Sequence, residues 1–439
     1  MKKTITLILL TCSFFINAQC WNVIAAGYNT SYGIKSDGSL WSWGRNDAGQ
    51  LGNNTITNSS TPVQIGNNNE WAYLSTNGFT TVGIKADHTL WAWGRDSDNL
   101  IPGASGNQLA PVQIINGTLF NDVSVGWNFC IAVDTTGKLW YWGGNLGINP
   151  YIMSNDTWDV ISAGQYHFLA VKSDSTLWGY GSNTFGQLGN GTNTNLTTLT
   201  QIGTENNWGY IKTSYSHTLA FKMNNTVWSW GSNANGELAD GTTISKNSPV
   251  QIGIGTNWNS FYAYGNTASV STDFWKPYSI LVDVNGNVYG AGQYNYGTVS
   301  NLTLIPGVSN IQYADGGRQH RLFVSNDNVL YGWKSNNEGQ LANTFTTYLD
   351  NSTIISCPSL STQSFTSQKI TFSPNPTTSQ INFSEEISEL EVYDVAGKKV
   401  KWFENANTTF NVEDLEKGIY FLKGKTSAQH IFTEKLVKQ

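Results

Sequence analysis

The chain repeats itself. Seven copies of one segment open at Trp21, Trp71, Phe120, Trp158, Trp208, Trp258 and Ile311, so that successive starts lie 50, 49, 38, 50, 50 and 53 residues apart. A period of this size marks an array of one supersecondary unit, because a segment so short cannot bury its apolar face alone and must stack on the next copy. Whatever the copies are, there are seven of them, and the third is cut short.

Each copy reads as strands. The fullest, WNVIAAGYNTSYGIKSDGSLWSWGRNDAGQLGN from Trp21 and WDVISAGQYHFLAVKSDSTLWGYGSNTFGQLGN from Trp158, hold short apolar runs rich in Val, Ile, Trp and Tyr, broken too often for an ordinary helix. Turn dipeptides recur three residues before a Leu or Val: Asp37-Gly38, Asp87-His88, Thr136-Gly137, Asp174-Ser175, Asn224-Asn225, Asn285-Gly286 and Asp327-Asn328. Such residues tolerate positive φ or bond their own backbone, so these carboxylates are read as turn formers and not as acids or bases. The signature LWSWG at 40–44 returns as LWAWG, LWYWG, LWGYG and VWSWG, then weakens to VYGAG at 288–292 and LYGWK at 330–334. Alternating large rings and glycines suit sheets packed face to face, with each ring filling the space a neighbouring glycine leaves.

The string GQYHFLAVKSDSTLWGYGSNTFGQLGNGT, with partial copies GQLG at 49–52, GELA at 236–239 and GQLA at 339–342, resembles the regulator of chromosome condensation repeat. Seven such repeats imply an all-β, seven-bladed propeller over residues 20–357, each blade a four-stranded antiparallel sheet. The name-giving member of that family is a nucleotide exchange factor for a nuclear GTPase. Its activity is not expected here, because function lives in loops grafted on the scaffold.

After residue 357 the periodicity changes. Residues 358–369 are a polar linker, and residues 370–439 carry strand-like runs at 379–384, 388–395, 398–403 and 418–424, the pattern of a small β-sandwich. SPNP at 373–376, LEVYDVAGKKV at 390–400, LEKGIYFLKGK at 415–425 and the closing KLVKQ resemble the C-terminal sorting domain of the type IX secretion system. That resemblance, to a family of the Bacteroidetes, implies an export address and a secreted or cell-surface location. At the other end, residues 1–19 have a basic start, a short apolar stretch and Ala18 near a cleavage point, which is the form of a secretory signal peptide. That segment is too short for a stable membrane span, and no integral membrane segment is expected in the mature chain.

Only 12% of residues are charged and the net charge is −6, with no basic stripe, so electrostatic binding to nucleic acid is not expected. Export favours disulfides. Overlaying the two ends of the array on an ordinary repeat junction, PVQIGNNNEW at 62–71, sets Cys357 near Asn67 and Cys20 at Glu70 in one loop, so a Cys20–Cys357 bond is expected to staple the ring. Cys130, in FCIAV, is expected to be a free core thiol.

No nucleophile motif, HExxH, P-loop or dinucleotide fingerprint is present, so neither a catalytic residue nor a cofactor is assigned. His167, His217 and His320 share one repeat slot and are read as structural hydrogen-bonding residues, not metal ligands. The sixth copy carries an insertion, STDFWKPYS, whose Phe274, Trp275, Lys276 and Tyr278 are the candidate ligand-binding residues, as an aromatic excursion on a loop. The expected function is non-catalytic binding of an extracellular glycan or protein. An extracellular enzyme, which convergent acidic residues in the propeller funnel would favour, and a structural adhesion protein are the alternatives.

Overall fold

The computed structural model describes residues 21–96, 98–144, 149–255, 257–264, 277–293, 297–318, 320–342, 349–355, 372–393, 399–403, 407–426 and 431–438. The chain divides into two compact units between Cys357 and Pro358.

Among the described residues, the first unit holds seven four-stranded antiparallel sheets, each with its strands in simple chain order. Blade one is Trp21–Ala26, Thr30–Lys35, Leu40–Gly44 and Ser59–Gln64. Every repeat opening read from the sequence starts the first strand of a blade. Those first strands pack on one another in sequence, and Ile311–Gly316 of blade seven returns to Trp21–Ala26, so the ring is closed. The turns have the expected chemistry: Gly38, His88, Gly137, Ser175, Asn225, Gly286 and Asn328 all have positive φ. The carboxylates of Asp37, Asp87 and Asp174 accept the backbone N–H and the hydroxyl two residues on, at 2.6–3.0 Å.

The core lies between blades. Trp21, Ile24 and Trp43 of blade one pack with Leu322, Val324, Leu330, Leu341 and Ile355 of blade seven, and an equivalent cluster fills each other junction. Each fully buried large side chain stabilises by about 1.5–3 kcal/mol, so the ring is held by apolar joints repeated around it.

The second ring of the LWSWG signature adds a directional bond. The indole N–H of Trp93 donates to the carbonyl of Gln50 in the preceding blade (3.0 Å), Trp142 to Leu100 (3.0 Å), Trp230 to Gln187 (2.9 Å) and Trp43, across the closure, to Gln340 (2.9 Å). The GQLG string is therefore a docking loop for the next blade. Its last glycine makes room: a Cβ on Gly52 or Gly189, both at positive φ, would lie 2.8 or 2.7 Å from the Trp93 or Trp230 ring. Where blade three lacks the string, blade four has Tyr180 in place of the Trp, and Phe129, Tyr141, Phe168 and Tyr180 stack to fill the joint. The outer strand of blade three is correspondingly short, Tyr151–Ser154.

In the second unit one long strand, Gln380–Tyr393, pairs with Phe372–Ser373, Lys399–Phe403, Asn407–Asn411 and Gly418–Thr426, and the last of these pairs with Ile431–Lys438. The runs at 379–384 and 388–395 were expected as separate strands; they are one. Ile381, Phe383, Ile387, Leu390 and Val392 of that strand point to a common core with Phe410, Val412, Leu422 and Leu436.

Candidate functional site

The first strand of every blade has the same pleat. Its opening residue, a ring in six blades and Ile311 in the seventh, and its fourth residue enter the joint between blades, while its third and fifth residues face the axis. Those axial positions line a cavity of about 630 Å3 enclosed by all seven blades. Here the copies differ most. The fifth position is Ala25, Ser75, Ser124, Ser162, Lys212, Tyr262 and Asp315 around the ring, and the third includes Tyr73, Asp122, Tyr210 and Tyr313.

Most fifth-position groups stitch the ring. Ser75 accepts the N–H of Val125 at 3.0 Å, Ser124 that of Ala163 at 2.9 Å, Ser162 that of Thr213 at 2.9 Å and Asp315 that of Ala26 at 2.9 Å. The Tyr262 hydroxyl donates to the Gly316 carbonyl. Lys212 departs from this pattern. It is half-buried in the cavity wall, and among the described residues its ammonium has neither an ion pair within 4 Å nor a side-chain hydrogen bond; the Tyr262 ring centroid lies 5.5 Å away. Burial opposes its charge, yet the field of Tyr210, Asp315 and Asp122 outweighs that penalty and holds its pKa above the ordinary lysine value. The two carboxyls feel the converse: burial pushes Asp122 up to about 7 and Asp315 to about 6.

The two ends of the channel are unlike. At the third position Tyr73 and Tyr210 remain 38% and 47% exposed. Beyond the other end of the first strands, rings from five blades touch in series: Tyr28–Phe79, Phe79–Trp127, Trp127–Tyr215 and Tyr215–Tyr264, with centroids 5.1–6.1 Å apart. The contact of Trp127 in blade three with Tyr215 in blade five spans blade four. The Arg318 guanidinium lies 4.1 Å over Tyr28.

Of the residues expected to bind ligand, Phe274, Trp275 and Lys276 lie outside the described residues, as do Cys20 and Cys357. Tyr278 is corrected: it is not on a loop but begins the second strand of blade six, Tyr278–Asp283, and is fully buried. Its hydroxyl donates to the Gly317 carbonyl at 3.0 Å and the Arg321 guanidinium stacks 3.7 Å over its ring. It occupies the slot that His167, His217 and His320 hold elsewhere, opposite the last residue of the third strand. Two of those histidines are bonded as expected. His217 sits between the Ser214 and Ser279 hydroxyls at 2.6 and 3.1 Å, and His320 meets Ser31 at 2.8 Å. His167 differs, with both ring nitrogens buried and without a hydrogen-bond partner among the described residues. Burial lowers all three pKa values to about 3, so the imidazoles are neutral. Cys130 is buried and free. Most of the aromatic wealth is packing: Lys35, Lys85, Lys172 and Lys222 lie 3.8–4.0 Å over the first ring of their LWxWG strands.

Seven sheets in a closed ring around a lined channel define a β-propeller. Four stretches of it match the regulator of chromosome condensation (RCC1) repeat: residues 37–82 and 224–263 match one model of that repeat and residues 23–50 and 159–187 a second, while residues 371–439 match the secretion system C-terminal sorting domain. The ultraviolet-B receptor UVR8 of Arabidopsis thaliana is 28% identical over 205 residues, 41% of this chain and 45% of the receptor. The probable E3 ubiquitin-protein ligase HERC6 of Homo sapiens is 33% identical over 96 residues, 18% of this chain and 9% of the ligase. The chain thus spans less than half the length of the curated relatives it matches. Among solved structures, human WBSCR16 aligns with a TM-score of 0.64 at 16% identity, covering 73% of this chain and 94% of that one. Yeast RCC1 aligns with a TM-score of 0.62 at 15% identity, covering 81% and 89%. These structures establish the fold alone.

Proposed function

We propose that this chain is a secreted or surface-displayed propeller that acts as a non-catalytic binding module, holding an extracellular glycan or protein in its central channel. The observation that carries the reading is Lys212: an ammonium in a cavity of about 630 Å3, without an ion pair or side-chain hydrogen bond among the described residues, in a lining shared with two carboxyls and partly exposed tyrosines. A volume of this size falls in the roughly 300–1,000 Å3 range of small-molecule sites. A mostly apolar wall with a few convergent polar groups is the usual make-up of such a site. The sorting tail supports an extracellular setting for it.

Two measurements test this reading. Deleting residues 371–439 should leave a folded propeller inside the cell envelope, whereas normal surface delivery of the shortened chain would count against the export assignment. Screening the exported full chain against surface glycans and surface proteins should yield a partner that Lys212→Met weakens; partners that all bind the variant equally well would remove the channel as the site.

A second reading, an extracellular enzyme, is favoured by one observation. Asp122 and Asp315 both line the funnel with pKa values raised toward neutrality, the condition in which a carboxyl can serve as a general acid. Release of a hydrolysis product by the wild type and not by Asp122→Asn would select it.

A further inference from the structure

We infer that the channel takes the end of a neutral oligosaccharide chain, seated between the Lys212 ammonium and the Asp122 and Asp315 carboxyls; the inference rests on the binding-module reading above. The hydrogen-bond inventory leads there. Lys212 offers three donors and no acceptor, and among the described residues no side chain accepts from them. Asp122 accepts the Val123 N–H at 2.8 Å and is also within reach of the Ile161 backbone donor, and Asp315 accepts the Ala26 N–H at 2.9 Å and is within reach of that of Gly316; among the described residues neither carboxyl of this cavity wall has a side-chain donor. An occupant must therefore accept at one point and donate at others on the same wall. Adjacent sugar hydroxyls do both, since each carries one donor and two lone pairs.

Charge narrows the class. A basic ligand would meet the Lys212 ammonium, and an acidic one would meet two carboxyls. Burial resists the ionisation of both carboxyls, so near neutral pH the cluster carries little net charge and offers no strong field to an ion of either sign. A neutral polyol loses nothing by this. The partly exposed rings of Tyr73 and Tyr210 supply apolar faces at the mouth for the C–H surface of a pyranose. The aromatic series from Tyr28 to Tyr264 crosses the opposite end, so a chain enters from the Tyr73 and Tyr210 side and presents its terminus.

The test is calorimetric titration of the exported full chain with short gluco-, xylo-, manno- and galacto-oligosaccharides, at low and high salt, beside an arginine-rich peptide and polyglutamate. One saccharide series should bind, with affinity that is unchanged by salt and levels off after a few sugar units. Lys212→Met should weaken it by at least about tenfold, the worth of a hydrogen bond to a charged group. Lys212→Gln, which keeps a donor, should restore part of the loss. Both variants remove the same charge beside Asp122 and Asp315, so their melting temperatures should fall together, and the difference in affinity between Lys212→Met and Lys212→Gln reports the lost donor and not lost stability. Binding of a charged peptide instead, sensitive to Lys212→Met, would overturn the saccharide assignment and keep the binding module. A saccharide that binds wild type and Lys212→Met alike would overturn the seat in the channel. Failure of every probe would remove both readings.

Discussion

Trp142 and Trp230 fill the same slot in blades three and five, are both fully buried, and each donate an indole hydrogen bond to the preceding blade. They differ in what they would leave behind. The Gln187 carbonyl, the acceptor for Trp230, also receives the Thr218 hydroxyl at 3.0 Å. The Leu100 carbonyl, the acceptor for Trp142, has no second donor among the described hydrogen bonds. Replacing either ring with Phe removes the same atoms, so the loss of packing, on the order of 1–3 kcal/mol, is common to both and cancels in the comparison. What remains is the cost of orphaning a buried acceptor, about 1–3 kcal/mol, which Trp142→Phe incurs and Trp230→Phe largely escapes. Urea unfolding of the two variants, followed by far-ultraviolet circular dichroism, should therefore place Trp142→Phe about 1–2 kcal/mol below Trp230→Phe. Equal stabilities, or Trp230→Phe as the weaker, would refute the idea that the indole bond to the docking loop is a working joint and leave the rings as filling only.

Three shorter predictions concern other groups. His167→Phe should be neutral or stabilising because its two buried nitrogens bond nothing among the described residues, whereas His217→Phe should cost roughly 1–3 kcal/mol by removing the ring partner of the Ser214 hydroxyl and leaving Ser279 only its bond to the Glu237 carbonyl; thermal melts of the pair would show the opposite order if the slot required a histidine as such. Asp122 has a folded pKa near 7, raised by burial from its ordinary 3.8, so its favourable contribution is present below about pH 4 and is lost as pH rises through 7. Asp122→Asn should consequently raise stability at pH 8 and not at pH 4, and a gain of equal size at both would contradict the assignment. Trp21 and Ile355, next to Cys20 and two residues before Cys357, share one core cluster, so non-reducing peptide mapping of the exported protein should recover a Cys20–Cys357 peptide; finding both alkylated as free thiols would reject the staple.

The propeller could be read in the sequence because its rules are local and repeated. Hairpin dipeptides and strand openings recur seven times and the LWSWG-type signature five times before it weakens, so the copies confirm one another. The channel could not be read that way, since a site on a symmetric scaffold is written where the copies disagree. Lys212 in WGYIKT and Asp315 in IQYADG stand where WDVISA and WAYLST have Ser, and that contrast is visible in the chain. Its meaning depends on seven strands, separated by about 300 residues, facing one axis, which only closure of the ring supplies. Tyr278 misled for the reverse reason. Within an irregular insertion it looks like a loop aromatic, and only pairing with Gly292 shows that it is the sixth blade's version of the histidine slot. The long strand of the tail was split in two because Glu385 and Glu386 interrupt its apolar alternation at the point where it passes from one set of partners to another.

The central claim is that this propeller binds in its channel, and the most direct measurement is a crystal structure of the exported chain soaked with its best saccharide. The account predicts ligand density in the channel, with a hydroxyl within hydrogen-bond distance of the Lys212 ammonium and another on Asp122 or Asp315. Density on the outer strands, or against residues 274–276, with the channel empty would contradict it.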